Sequence, residues 1–322
     1  MSGGIDLDQH LAAYLAIRDA LGLAAGARPR LLRSFLDHAC ATATAPGAPI
    51  RATAALTWAC DHAPPGCGDA GKAHRLTVAR GFLAYLSGIV PGTEVPSHNL
   101  LAGRRRRRPY ILSDAEIEAL AAAAAKAPPR GSLRPVMLPA LLGLLASTGL
   151  RIGEAVRLTL DDVRLEAQPA HLRVLQTKFQ KSRLVPMHPT TAAALAAYLR
   201  RRQELGYHAL SDTVFVSERG GPLDVDLLGV WFSKLTRKLG LWPADNEARR
   251  PSLHSFRHSF AIRRLRAWHE AGLDVQALLP TLSVYLGHVR PEDTYWYLTA
   301  TPDLLRAAGA RFAPDGLFGG GP

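Results

Sequence analysis

Ser147-Thr148-Gly149-Leu150-Arg151-Ile152-Gly153-Glu154 stops one helix and starts another within three residues. Upstream, Met137 to Leu150 is the longest apolar run. It is too short to span a bilayer and reads as a buried helix. Gly149 suits the left-handed conformation that ends a helix, and Arg151 stands where the next one opens. A guanidinium at such a junction offers a planar donor fork beside free backbone N–H groups, which suits a phosphate. Taken alone, a structural Arg151–Glu154 pair explains the spacing equally well.

Outward from this junction the chain reads as mainly α-helical. Ser113-Asp114-Ala115-Glu116 is a capping box that opens the second domain. Helices are predicted at 114–127, 133–146 and 151–158, followed by three short strands ending near Met187. Further helices are predicted at about 189–205, 224–239, 253–268, 281–286 and 292–299, with Pro280 in the first turn of the 281–286 helix. Before this domain, Ile5–Leu23, Pro29–Cys40, Ile50–His62 and Lys72–Leu86 read as four short helices separated by Gly/Pro breaks. Residues 87–103 are irregular. Arg104, Arg105, Arg106, Arg107 and Arg108 then form an unbroken basic run. The expected organisation is a helical domain at 1–100, a basic linker at 101–112, and an α-rich domain with a small three-stranded sheet and a C-terminal tail at 113–322.

The formal net charge is +12, which favours a polyanionic partner. Residues 1–103 carry eight basic and seven acidic side chains, whereas 104–322 carry 31 and 20, so the excess sits on the linker and second domain. Of the 39 basic residues 33 are Arg, a bias that GC-rich coding also produces. The five adjacent arginines repel one another unless an anion neutralises them. A phosphate backbone would do so, and a solvated tether or localisation signal is the lesser alternative. The first residues lack a basic n-region, so no signal peptide is expected and the location should be cytoplasmic. Cys40, Cys60 and Cys67 have no repeated metal-ligand spacing. They read as incidental or buried thiols rather than as zinc ligands with His38 or His62.

Four more patterns follow the junction. Arg173–Met187, RVLQTKFQKSRLVPM, reads as a β-hairpin whose polar tip holds Lys178 and Lys181, two of only six lysines. In His254-Ser255-Phe256-Arg257-His258, His254 and Arg257 are three apart on a helix and can aim an imidazole and a guanidinium at one anion. Tyr285-Leu286-Gly287-His288 is a helix stopped by glycine with a histidine just past its end. Thr294-Tyr295-Trp296-Tyr297 places its last phenol nine residues beyond His288.

In this order and spacing, the five elements closely resemble the tyrosine recombinase (phage integrase) family over about residues 110–300, and more weakly over the N-terminal helices. The family's T-G-L-R-x-x-E is matched by Thr148–Glu154, its hairpin Lys by Lys178, its H-x-x-R by His254–Arg257, its L-G-H by Leu286–His288, and its tyrosine by Tyr297. Thr177 and Phe179 replace the glycines usual around the hairpin lysine. The resemblance implies a SAM-like helical core-binding domain followed by the integrase catalytic fold, and a site-specific recombinase of a bacterial mobile element. It further implies that Tyr297 attacks a phosphodiester to give a 3′-phosphotyrosine. Arg151 and Arg257 would hold the non-bridging oxygens, His288 would add a hydrogen bond there, Lys178 would protonate the 5′-oxygen, and His254 would assist at the nucleophile. Glu154 would orient Arg151.

Such chemistry needs neither metal nor ATP, so no cofactor is expected. The implied partners are double-stranded DNA and further copies of the chain, or sister recombinases: a monomer free in solution and a tetramer on DNA. Candidate DNA contacts are Arg75 and Arg80 on the fourth helix, the run Arg104–Arg108, and Lys181 and Arg183 on the hairpin. For the basic residues of the fourth helix a solvated face is an equal reading. Tyr295 is the rival nucleophile, although on a helix its phenol points roughly 200° away from that of Tyr297. The alternatives in function are a type IB topoisomerase-like nicking-closing enzyme and a catalytically idle DNA-binding regulator.

Overall fold

The computed structural model describes residues 6–23, 26–45, 47–101, 109–129, 131–175, 182–244 and 249–288, together with Thr294 and Tyr297. The chain divides into two compact units, Met1–Arg106 and Arg107–Pro322. Arg104–Arg108, the hairpin tip with Lys178 and Lys181, and Tyr295 lie outside the described residues.

Among the described residues the first unit is four helices: α1 (Leu7–Ala20), α2 (Arg28–Ala41), α3 (Ala52–Cys60) and α4 (Asp69–Ser87). Asp6 ends the chain's approach to α1, because its carboxylate accepts from the backbone N–H groups of Asp8 and Gln9. Trp58, Phe35, Leu76, Phe82 and Leu86 form the core. Two arginines expected as DNA contacts belong to this interior. The Arg75 guanidinium lies 3.9 Å from the Trp58 ring centroid and donates to the carbonyls of Trp58 and His62 at 2.9 and 3.1 Å. Arg80 donates to the carbonyls of Pro96 and Ser97 at 2.9 and 2.8 Å, tying the segment after α4 back onto that helix. Both side chains are buried. Their long apolar stems fill the core while their heads satisfy carbonyls that no helix pairs. This corrects the expectation that they reach out to DNA.

In the second unit the Ser113/Glu116 capping box opens α5 (Asp114–Ala124). The apolar run forms α6 (Arg134–Thr148), and α7 (Ile152–Ala155) is a single turn. Strands β1 (Val163–Arg164), β2 (His171–Val174) and β3 (Arg183–Pro186) make an antiparallel sheet in chain order, with Leu172 opposite Val163 and Val185. Helices α8 (Pro189–Glu204), α9 (Val225–Lys238), α10 (Leu253–Glu270) and α11 (Val275–Leu286) complete it. The core runs from Leu120 and Leu141 through Tyr198, Phe215 and Phe232 to Phe256. A second cluster joins α10, α11 and Tyr297. The result is mainly helical with one small sheet, as expected from the sequence. Among the described residues no helix is long and apolar enough to cross a membrane.

Among the described residues, one helix boundary differs from expectation by more than three residues. Helix α11 starts at Val275, six residues ahead of the expected 281, and Pro280 sits inside it rather than in its first turn. Asp274 decides this, since its side chain accepts from the N–H groups of Gln276 and Ala277 at 2.9 and 3.2 Å. That cap fixes the first turn upstream of the proline, and Leu279, Leu282 and Leu286 bury one face. Thr294 and Tyr297, within the expected 292–299 helix, are both helical.

Gly149 ends α6 with φ 64°, and a Cβ there would lie 2.6 Å from Cδ1 of Phe260. Gly149→Ala therefore meets both backbone strain and a ring in the core. A loss of about 2 kcal/mol or more is expected in urea unfolding. A midpoint equal to that of the parent chain would show that the junction tolerates a side chain.

Candidate active site

Three arginines from three elements converge on the end of α11. Arg183 at the start of β3 donates Nε–H to the carbonyl of Tyr285 at 2.7 Å. Arg257 on α10 donates to the carbonyl of Leu286, and through its other terminal nitrogen to that of Gly149 at 3.0 Å. Arg151, the N-cap of α7, donates to the carbonyl of Gly287 at 3.0 Å. A helix terminus leaves its last carbonyls without intrahelical donors and carries partial negative charge, so guanidinium groups are natural partners. Gly287 closes α11 with φ 65°, and a Cβ there would come within 2.8 Å of a terminal nitrogen of Arg183.

Glu154 is the counter-charge. Its carboxylate accepts from Arg151 at 2.8 Å and from both terminal nitrogens of Arg183 at 3.2 and 2.9 Å. It also accepts from the Arg151 backbone N–H at 3.0 Å. Burial alone would raise the carboxyl's pKa. The hydrogen bonds and charge of Arg183, then those of Arg151, outweigh it and hold the pKa at about 2. The same burial, with the nearby Arg151 charge, pulls Arg257 below the usual guanidinium value. Arg183 commits all three of its nitrogens to these partners, so the structure makes it a brace rather than the expected DNA contact. A guanidinium has five donors. Arg151 and Arg257 each spend two here, leaving N–H groups for the oxygens of an anion.

The phenol lies beside this cluster. Tyr297 is 2% exposed, and its hydroxyl is 3.0 Å from Nδ1 of His258. His288 holds Thr294 Oγ1 at 2.7 Å through its own Nδ1, and its ring stacks near that of Tyr297 at 6.2 Å between centroids. His254 meets His258 edge to face at 4.5 Å. Burial, then the charges of His254, Arg249, Arg257 and His288, lower the His258 pKa to about 3. His254 is likewise held low, by the protein around it and by Arg257, Arg151 and Arg249. Both imidazoles are therefore neutral near pH 7.

Of the residues singled out in the sequence, Arg151, Glu154, His254, Arg257, His288 and Tyr297 are brought into this one region. His258 has no role in the sequence reading, although it lies one helical turn from His254 and thus on the same face. That spacing was the available signal. Cys40, Cys60 and Cys67 are free thiols, and among the described residues no group of three or more His, Cys, Asp or Glu could hold a metal.

Glu154 makes stability depend on acid. Its folded pKa lies below its unfolded value, so the stabilisation is fully present above the ordinary carboxylate pKa and is lost as pH falls towards about 2. Glu154→Gln should cost about 3 kcal/mol at pH 7. The gap to the parent chain should shrink in urea unfolding at pH 2.5. A gap that does not change with pH would mean that Glu154 is not the charged partner of these arginines.

The match to known proteins covers the same ground. The phage integrase family matches residues 111–303. A protein named integrase/recombinase y4rB, from Sinorhizobium fredii, is 44% identical over 259 residues, covering 79% of this chain and 81% of its own. Integrase/recombinase y4rE of the same organism is 38% identical over 312 residues, covering 96% of this chain and 97% of its own. Among solved structures, XerH site-specific recombinase bound to palindromic difH substrate, a post-cleavage complex, shares the fold. Its TM-score is 0.65 over 95% of this chain and 85% of that one, at 18% identity. With one family spanning most of the second unit and a relative aligned along nearly the whole length, this protein belongs to the phage integrase family.

Proposed function

We propose that this protein is a site-specific DNA recombinase that breaks and rejoins duplex DNA through a 3′-phosphotyrosine at Tyr297. The observation that carries the reading is the Tyr297 hydroxyl 3.0 Å from Nδ1 of His258, with the His288 ring stacked near its own and Arg257 close enough for the two charges to interact. Transfer of a phosphodiester needs a nucleophile, cations where charge develops on the phosphoryl oxygens, and a proton for the leaving group. Tyr297 attacks phosphorus. The uncommitted N–H groups of Arg151 and Arg257 take the two non-bridging oxygens, and His288 adds a donor there. Lys178 gives a proton to the departing 5′-oxygen. The phosphotyrosine conserves the energy of the broken bond, so a 5′-hydroxyl can reverse the attack without ATP.

The relatives named integrase/recombinase support strand exchange between duplexes over nicking and closing of one duplex or idle binding. Two of them come from a single organism, which fits a protein that works beside sister recombinases on a mobile element. The working form is a tetramer on two duplexes, assembled from cytoplasmic monomers. Phosphate contacts by Arg104–Arg108 and Lys181 add sequence-independent affinity, and the helical domain at 1–100 adds contacts of its own to DNA.

The target site is found by sequencing DNA that becomes covalently attached to the wild-type chain. On nicked suicide duplexes made from that DNA, Tyr297→Phe should bind but form no covalent complex. A complex formed by the variant would move the nucleophile to Tyr295. Lys178→Ala should slow cleavage by roughly 10²- to 10⁴-fold. A 5′-bridging sulfur, a better leaving group, should restore most of the lost rate, and failure of that rescue would remove Lys178 as the proton donor.

A further inference from the structure

We propose that His258 is a catalytic residue of the strand-cleavage step, taking the phenolic proton of Tyr297 at its Nδ1 as the phenol attacks phosphorus. The inference rests on the recombinase reading and deepens it, by assigning the nucleophile side of the reaction to a residue outside the five family motifs.

A phenol attacks phosphorus well only as it loses its proton, and that proton needs an acceptor within hydrogen-bond reach. Tyr297 is 2% exposed, which denies bulk water that role. A group in reach is Nδ1 of His258, 3.0 Å from the hydroxyl oxygen. Helix α10 fixes this geometry from one rigid element. Arg257 is anchored by the carbonyls of Gly149 and Leu286, and the next residue along the helix points its imidazole at the phenol. The clamp residue and the base thus sit on one helix, and the phenol that His258 holds lies close enough to Arg257 for their charges to interact.

His258 is also in the right protonation state. Burial and the surrounding positive charges keep it neutral near pH 7, so it has a lone pair to offer. The same charges make it a weak base in the protein alone. A phosphodiester resting on Arg151 and Arg257 brings a negative charge that offsets them. The further negative charge developing on the phosphoryl oxygens during attack then favours an imidazolium next to it.

In the tautomer with its proton on Nε2, the ring accepts at Nδ1. The Tyr297 O–H bond breaks, its proton moves to Nδ1, and the phenolic oxygen forms the bond to phosphorus. The bond from phosphorus to the 5′-oxygen breaks, and that oxygen takes a proton from the acid proposed above, Lys178. On religation the Nδ1 proton returns to the departing phenolic oxygen. No oxidant, reductant or further reactant enters.

The test uses the full chain on the nicked suicide duplexes, comparing His258→Ala, His258→Asn and Lys178→Ala. Asn keeps polar atoms near the Nδ1 position and much of the volume, but cannot take a proton. Both His258 variants should form the covalent complex at least about 100-fold more slowly than wild type, with DNA binding and thermal midpoint close to the parent values. A 5′-bridging sulfur should rescue Lys178→Ala and leave both His258 variants slow, because a better leaving group does nothing for an undeprotonated nucleophile. Should Ala fail to fold, the Asn variant decides alone.

Wild-type rates in His258→Asn would reduce His258 to a positioning contact and overturn the inference. Sulfur rescue of either His258 variant would place the defect on the leaving-group side and overturn it too. The two readings fail differently. A wild-type chain that forms no covalent complex on any duplex would remove the recombinase reading and the base with it, whereas active His258 variants beside an active wild type remove the base alone.

Discussion

The carbonyls that end α11 hold the second unit's chemistry in place. Tyr285, Leu286 and Gly287 each accept from a different arginine, and those arginines come from the start of β3, from α10 and from the head of α7. Elements separated by more than a hundred residues are thereby fixed relative to one helix terminus. A helix end needs donors and a guanidinium needs acceptors, so each satisfies the other. The left-handed backbone at Gly287 lets the chain turn away without a Cβ that would strike Arg183. Gly149 plays the matching part on the other side, turning the chain at the end of α6 and giving its carbonyl to Arg257.

That arrangement sets the electrostatics of everything near it. Arg151, Arg183 and Arg257 face one carboxylate, Glu154, in a setting where Arg257 is 1% exposed. The uncompensated positive charge is tolerable because the guanidinium groups donate to carbonyl dipoles as well as to Glu154. It also accounts for the neutral histidines. Burial and the neighbouring cations both disfavour imidazolium, and the two effects act in the same direction on His254 and His258. A bound anion would reverse the second effect but not the first. The protonation state of the site is thus coupled to whether a phosphate is present.

The sequence carried much of this plainly, and where it fell short the reasons are physical. Local signals were reliable when a single residue settles the structure. Examples are the Ser113/Glu116 box and the glycine at 149. The start of α11 is hidden in the sequence because Pro280 suits a first turn, while the side chain of Asp274 caps an earlier one. Arg75 and Arg80 read as outward because charge usually is, and nothing local reveals that Trp58 and the carbonyls of Pro96 and Ser97 await them. Arg183 misleads for the same reason, since its partners Glu154 and Tyr285 are distant in sequence. Side-chain destinations of long cations are tertiary facts. Spacing within a motif shows which residues share a helix face, but not which of two histidines on that face meets a phenol arriving from another segment.

The inward turn of Arg75 and Arg80 bears on how the first unit could meet DNA. Residues 1–103 hold eight basic and seven acidic side chains, and two of the eight are spent on the interior. What remains outside is close to balanced in charge, so counterion release from this unit is small. Long-range attraction to phosphate must then come from the basic run and the second unit, which hold 31 basic side chains against 20 acidic ones. Any grip the first unit has on a duplex depends on shape and on hydrogen bonds made at close range. Contacts of that kind are weakly screened by salt and are sensitive to groove geometry. A half that contributes little charge can still contribute discrimination, since affinity from charge is indifferent to sequence and contacts at base edges are not.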